Sequence, residues 1–123
     1  MSKFLKLFLF LTFGLNCQGQ KIIGNWEFLN AECSELLVIN QNGTYKIFND
    51  CYAENSHNPI IESGKWTINN DETKLYLINR NLKGGNGYKV WNNNKSLSLE
   101  ISIYNNILKI KFLNKIEKWK KKI

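Results

Sequence analysis

The chain has 123 residues, of which 43% are hydrophobic and 22% are charged, and its formal net charge is +7. This length allows one small domain and leaves no room for a second one. The positive charge is concentrated at the C-terminus, where seven lysines and a single glutamate follow position 108. Because a chain this rich in Asn, Lys and Ile is typical of an AT-rich genome, the basic end is either compositional or a selected binding patch.

The first 20 residues have the pattern of a secretory signal peptide. Lys3 precedes an apolar run at residues 7–15, and small and polar residues follow the run. The run is too short for a membrane-spanning helix, which needs about 20 apolar residues. Cleavage near Gly19 would leave a mature domain of residues 21–123, whereas lipidation of Cys17 would give a lipoprotein. Both routes predict an exported protein, in the periplasm or at the cell envelope.

Alternation of apolar and polar residues dominates the rest of the chain and predicts β-strands. A first strand at residues 22–29 is followed by a hairpin that turns at 41–43, where Gly43 suits a three-residue loop. This turn pairs positions whose numbers add to 84, so that Ile39 faces Tyr45.

The same register places Cys33 opposite Cys51. In an oxidising compartment this predicts a disulfide, which closes a loop of about 19 residues and contributes roughly 3 kcal/mol. The alternative is two free cysteines that act as small hydrophobic residues. A zinc site would need more ligands than these two sulfurs and His57.

Three further strands and a second hairpin follow the first one. The strands are predicted at residues 60–68, 74–79 and 88–91, and the hairpin at residues 97–112. A turn at Asn105-Asn106 pairs positions that add to 211, which keeps both apolar sets of the hairpin on one side. Residues 114–123 are interpreted as a basic tail. The eight strands predict an all-β fold, a small antiparallel up-and-down β-barrel without exposed sheet edges.

Two tryptophan motifs carry a family resemblance. Gly24-Asn25-Trp26 opens the first strand as the Gly-x-Trp motif opens the lipocalins, and Gly64-Lys65-Trp66 lies on the fourth strand, after "NQNGTYKIF". In this order and spacing, residues 22–77 resemble the short bacterial lipocalin-like domains of exported Bacteroidetes proteins. Physically, Gly24 lets the backbone bend at the strand start, and Trp26 closes an open barrel end with a large apolar body.

The resemblance also implies a cover for Trp26. In lipocalins a basic side chain from near the last strand stacks on this tryptophan, and Lys115 or Lys118 would take that place here. Arg80 is the only arginine and is not C-terminal, so the usual stacked guanidinium must be absent or replaced. We interpret Trp26 and Trp66 as structural, and we leave Trp91 and Trp119 open between structure and binding.

The first functional hypothesis is a binding module that holds a small apolar ligand in or at the mouth of the barrel. The candidate cavity residues are inward-facing positions of the two hairpins: Leu37, Ile39, Tyr45, Ile47, Leu99, Ile101, Leu108 and Ile110. Because strands of a domain this small are short, side chains could instead fill the interior. The alternative is therefore a cell-envelope protein-interaction module, an inhibitor or an assembly partner, with a packed barrel and no ligand.

We expect no enzymatic activity, because neither a nucleophile with its base nor a spaced carboxylate pair is visible. We also expect no cofactor and no metal. The expected partner is a small apolar ligand or an envelope protein and not nucleic acid, and the lysine-rich tail could contact a membrane surface. We expect a monomer.

Overall fold

A computed structural model describes residues 21–29, 33–50, 60–83 and 91–122. These residues contain eight β-strands: β1 (Gly24–Leu29), β2 (Ser34–Ile39), β3 (Thr44–Asn49), β4 (Ile60–Ile68), β5 (Lys74–Leu82), β6 (Leu97–Tyr104), β7 (Ile107–Phe112) and β8 (Lys115–Lys122). Each strand pairs with the next one, and β8 returns to β1 to close the barrel. The predicted all-β, antiparallel up-and-down barrel is thus confirmed. In the described ranges, no helix is long and apolar enough to cross a membrane.

The strand registers follow from the sequence as predicted. β2 and β3 pair with Ile39 opposite Tyr45, so their positions add to 84. The positions of β6 and β7 add to 211, and their turn consists of Asn105 and Asn106, whose φ angles are 50° and 64°. Asparagine tolerates positive φ, and two such residues make the turn whose twist matches a hairpin. In both hairpins the predicted cavity positions therefore lie on the inward face.

The eighth strand is not the predicted one. Trp91 lies outside the described strands, and residues 88–90 lie outside the described part of the chain. Instead, Lys115–Lys122 forms β8, which pairs with β7 and β1. The interpretation of residues 114–123 as a basic tail is therefore wrong for the part that forms β8. Alternation of apolar and polar residues does not indicate β8, because Trp119 is the only apolar residue at its inward positions, where Glu117 and Lys121 also lie.

The topology distinguishes two ends of the barrel. The end that we call the floor carries residues 21–23 and the tight turns at 40–43, 69–73 and 105–106. The opposite end, which we call the mouth, carries the turn at 113–114 and residues 91–95, which we call the mouth segment. Buried apolar side chains from all eight strands and from both ends form one hydrophobic core.

Candidate functional site

The eight predicted cavity positions all lie in the hydrophobic core. Their exposed fractions run from 0% to 7%, and they belong to one cluster together with buried tryptophans of both barrel ends. The members are Leu37, Ile39, Tyr45, Ile47, Leu99, Ile101, Leu108 and Ile110. Their placement inside the barrel agrees with the sequence pattern, and their contact with a ligand stays a prediction.

Trp26 closes the floor and is fully buried. Its indole N–H donates to the carbonyl of Ile22 at 2.8 Å, and the Nζ atom of Lys121 lies 5.6 Å from the ring centroid. A cation at this distance is attracted by the ring face. The basic cover implied by the lipocalin resemblance is thus present, but it comes from Lys121, and Lys115 and Lys118 are exposed.

Gly24 makes this arrangement possible. Its φ is +141°, and a Cβ atom at this position would lie 3.1 Å from Cε of Lys121. A side chain here would therefore push away the lysine stem that covers Trp26. The Gly-x-Trp motif is thus explained by packing: Gly24 leaves the space for the Lys121 stem, and the Lys121 ammonium lies over Trp26.

Trp66 and Gly64 also have structural roles. The indole N–H of Trp66 donates to the carbonyl of Asn40 at 2.8 Å, which ties β4 to the turn between β2 and β3. At Gly64, an added Cβ would lie 2.9 Å from the carbonyl oxygen of Ile78 and 2.9 Å from Cε1 of Tyr45. The chain needs glycine at position 64 because a backbone carbonyl and an aromatic ring approach it closely.

A buried charged centre lies inside the barrel toward the mouth. Arg80 is 2% exposed and Glu62 is 1% exposed. The guanidinium and the carboxylate form two parallel hydrogen bonds, from Nε to Oε2 at 3.0 Å and from Nη2 to Oε1 at 3.1 Å. The phenol of Tyr45 donates to Oε2 of Glu62 at 2.6 Å. Such a bidentate pair has the geometry that arginine and carboxylate prefer.

The remaining donors of Arg80 hold the mouth segment. Nη1 donates to Oδ1 of Asn92 at 2.7 Å and to the carbonyl of Asn94 at 2.8 Å, and Nη2 donates to the carbonyl of Asn92 at 2.7 Å. With the two bonds to Glu62, all five N–H donors of the guanidinium are used. The backbone N–H of Arg80 also donates to the carbonyl of Lys95 at 3.1 Å.

A bulge in β5 turns Arg80 into the barrel. Leu75 and Leu77 are buried, so strict alternation would put Asn79 inside and Arg80 outside. However, Asn79 has a φ of 52°, and the register with β4 shifts at this point. One extra residue inverts the alternation. Asn79 is therefore exposed and Arg80 is buried, which sequence reasoning missed.

The mouth segment is anchored a second time, on β8. The indole N–H of Trp91 donates to Oε1 of Glu117 at 3.0 Å, and that of Trp119 approaches the same oxygen at 3.4 Å. Trp91 is buried in the core cluster. Because β5 and β8 are not neighbours in the barrel, a segment bound to Arg80 at one point and to Glu117 at the other spans part of the mouth.

The charged centre perturbs one titratable group. Burial in the core raises the pKa of the Tyr45 phenol well above its usual value of 10.0, and the adjacent Glu62 carboxylate adds to this effect by its charge and by its hydrogen bond. The phenol therefore stays protonated in the folded protein at every physiological pH. Tyr45 acts as a hydrogen-bond donor to Glu62, and a role as a proton acceptor is chemically unfavourable.

Several predicted residues lie outside the described part of the chain, namely the signal peptide at 1–20 with Cys17, and the segment that holds Cys51 and His57. Cys33 is disulfide-bonded. Its pairing with Cys51 stays a prediction, because Cys51 is not among the described residues. In the described ranges, no group of three or more His, Cys, Asp and Glu side chains could hold a metal ion.

The fold and the site define a class of protein: a small closed up-and-down barrel with eight strands, a tryptophan floor and a bound segment that spans part of the mouth. Within this class, the pattern of the NlpE N-terminal domain family matches residues 31–102, more than half of the chain, and the chain belongs to this family. The family consists of barrel modules of envelope lipoproteins, which agrees with export to the cell envelope. The lipocalin resemblance fits the eight-stranded barrel more loosely. Comparisons with curated proteins and with solved structures gave no match.

Proposed function

We propose that this protein is a protein-interaction module of the cell envelope, which has a packed barrel and presents the mouth segment to a partner. The observation that carries the proposal is the double anchoring of this segment, by Arg80 on β5 and by Glu117 on β8. Membership in a family of envelope lipoprotein modules supports the same function. Lipidation of Cys17 would place the module at a membrane, and we keep a monomer as the expected state.

Burial of the candidate cavity positions and of the mouth supports a packed barrel over the hypothesis of a small apolar ligand. The candidate cavity positions belong to one cluster of buried residues, and Trp91 is buried at the mouth, where a ligand would enter. Because all donors of Arg80 already have protein acceptors, a ligand would gain no hydrogen bond from this group. Polar groups that orient a ligand usually need free hydrogen-bonding capacity.

The mouth segment has the properties of a preorganised binding surface. Asn93, Asn94 and Lys95 are exposed, while the backbone carbonyls of Asn94 and Lys95 accept hydrogen bonds from the buried Arg80. A segment that is already ordered loses little conformational entropy when a partner binds. The proposal includes no enzymatic activity, because the buried Glu62 and Arg80 bind each other.

The first experiment tests for a ligand in the barrel. Native mass spectrometry of the exported protein should show the mass of the polypeptide alone, and an apolar dye should give no saturable binding. A co-purified lipid at one molecule per chain would contradict the packed barrel and support the ligand-binding hypothesis.

The second experiment tests the mouth segment. A photo-crosslinking amino acid at Asn93 should give a discrete adduct with an envelope protein in living cells, and the same group at Thr67, an exposed outward position on β4, should not. Lys95→Glu should weaken the adduct formed from position 93. Identical adducts from both positions, or none from position 93, would remove the mouth segment as the interaction surface.

A further inference from the structure

The outer surface of β7 and β8 is strongly basic. We call this surface the lysine face; it consists of the outward side chains Lys109, Lys111, Lys118, Lys120 and Lys122. Across the strand pair, Lys109 lies directly opposite Lys118. Like charges at such positions destabilise a sheet. Among the described residues, the only ion pair formed by these lysines joins Lys122 to Glu27, with a distance of 4.0 Å.

An apolar tip lies at the mouth end of the lysine face. It consists of Leu113, which is 77% exposed, and Ile116, which is 63% exposed. Leu113 occupies the turn between β7 and β8 with a φ of 57°. Leucine is unfavourable there on two counts, because positive φ favours Asn or Gly and because its side chain is in water. Folding alone would select another residue at this position.

The tip and the lysines form one continuous surface. Ile116 pairs directly with Lys111 across the two strands. Both residues also line a groove of about 230 Å³ on the barrel exterior, together with Lys109, Ser102 and one acidic residue, Glu100, so that two lysines and one glutamate border it. An apolar projection bordered by lysines matches the two requirements of a bilayer surface, which are apolar contact below the headgroups and positive charge at the phosphates.

We propose that the lysine face and the apolar tip dock the barrel side-on onto an anionic phospholipid surface. Leu113 and Ile116 enter the headgroup region, and the lysines contact lipid phosphates. In this orientation the opposite strands, β3 and β4, face away from the membrane. The proposal uses a surface and a partner different from those of the mouth segment, so either proposal can fail without the other.

Vesicle binding of the exported full chain tests the proposal. Vesicles of phosphatidylglycerol and phosphatidylcholine in equal amounts are compared with vesicles of phosphatidylcholine alone. The triple variant Lys109→Gln/Lys111→Gln/Lys118→Gln should bind anionic vesicles roughly a hundredfold more weakly than wild type, because each lysine near such a surface contributes a factor of about five. All variants have the same N-terminal segment, so its contribution cancels in these ratios.

A matched triple variant controls for net charge. Lys46→Gln/Lys65→Gln/Lys74→Gln removes the same charge from exposed positions on β3, β4 and β5, and it should keep anionic binding within about threefold of wild type, because surface charges away from the contact act only through a screened field. An equal loss in both triple variants would overturn the docking face. So would equal binding of wild type to anionic and neutral vesicles.

Leu113→Asn tests the tip separately. It should weaken binding to anionic vesicles by about tenfold, the effect of losing one buried leucine side chain. Its urea unfolding midpoint should equal or exceed that of wild type, because asparagine suits the φ of this position. If Leu113→Asn binds as wild type does, or if the lysine face captures only an acidic protein and no vesicle, the proposal is wrong.

Discussion

The buried charged centre gives the sharpest prediction, because both of its charged groups are buried and bonded to each other. Arg80→Met removes all five donors and leaves the Glu62 carboxylate buried, with the hydrogen bond from the Tyr45 hydroxyl still in place. Breaking a buried ion pair in this way costs about 3–5 kcal/mol. Since a domain of this size has a total stability of about 5–15 kcal/mol, the variant should be close to the limit of folding at 25 °C.

Urea unfolding, followed by tryptophan fluorescence, measures the effect. Arg80→Met should lower the midpoint strongly, and Lys65→Met, at an exposed position on the adjacent β4, should change the free energy of unfolding by less than about 0.5 kcal/mol. Arg80→Lys should not restore the stability, because lysine has three donors and no planar fork. In the same samples, hydrogen exchange of the backbone amides of the mouth segment should accelerate.

A double-mutant cycle with Glu62 separates the ion pair from general packing. Arg80→Met/Glu62→Met removes both charges, and its cost should be smaller than the sum of the two single costs by roughly 2 kcal/mol or more, because neither charge is then left buried alone. The reasoning would be refuted if Arg80→Met cost less than about 1 kcal/mol, or if the two single costs simply added.

Three further predictions concern the floor and the core. Tyr45→Phe should lower the free energy of unfolding by about 1.5–3 kcal/mol at neutral pH. Because the pKa of Tyr45 is raised in the folded state, the stability of the wild type should fall above pH 10 by up to about 1.4 kcal/mol per pH unit. Urea titrations between pH 9 and 11 should show that this part of the slope is absent from the variant. Gly64→Ala should lower the free energy of unfolding by about 1–3 kcal/mol, because its Cβ would meet a backbone carbonyl and the ring of Tyr45; an unchanged unfolding midpoint would contradict the close approach. Lys121→Met keeps the alkyl stem over Trp26 but removes the charge, and it should lower the free energy of unfolding by about 0.5–2 kcal/mol. Lys120→Met, at an exposed position, should leave this free energy almost unchanged. Equal losses in the two variants would contradict the assigned faces of β8.

The barrel was predictable from the sequence where local chemistry and strand alternation agree. The turn at Asn105-Asn106 requires positive φ at both positions, and asparagine provides it. Once that turn is fixed, its register is fixed, and the alternating apolar residues at 97–103 and 108–112 fall on one face. The same reasoning gave the pairing of Ile39 with Tyr45. The cavity positions followed from these registers.

The charged centre was not predictable, because its key residue depends on a defect in the alternation. Arg80 faces inward through the bulge at Asn79, and an asparagine inside a strand is not a specific sequence signal for a bulge. The one available signal was that Arg80 is the only arginine of the chain. β8 was missed for a related reason, since a polar side chain at an inward position breaks the expected pattern even when it has a partner there.

The faces of β8 explain how one lysine-rich strand can serve both the fold and a partner. Lys121 faces inward, where its stem lies against Gly24 and its charge lies over Trp26, so it takes part in closing the floor. Lys118 and Lys120 face outward and have no such role in the fold. An AT-rich composition would place lysines equally on the inward and outward faces of β8. Composition alone therefore does not explain why the inward Lys121 contacts Trp26 and Gly24. It also does not explain why an exposed leucine in a left-handed turn lies beside the outward lysines. Structure accounts for the first arrangement, and the proposed docking onto an anionic surface would account for the second.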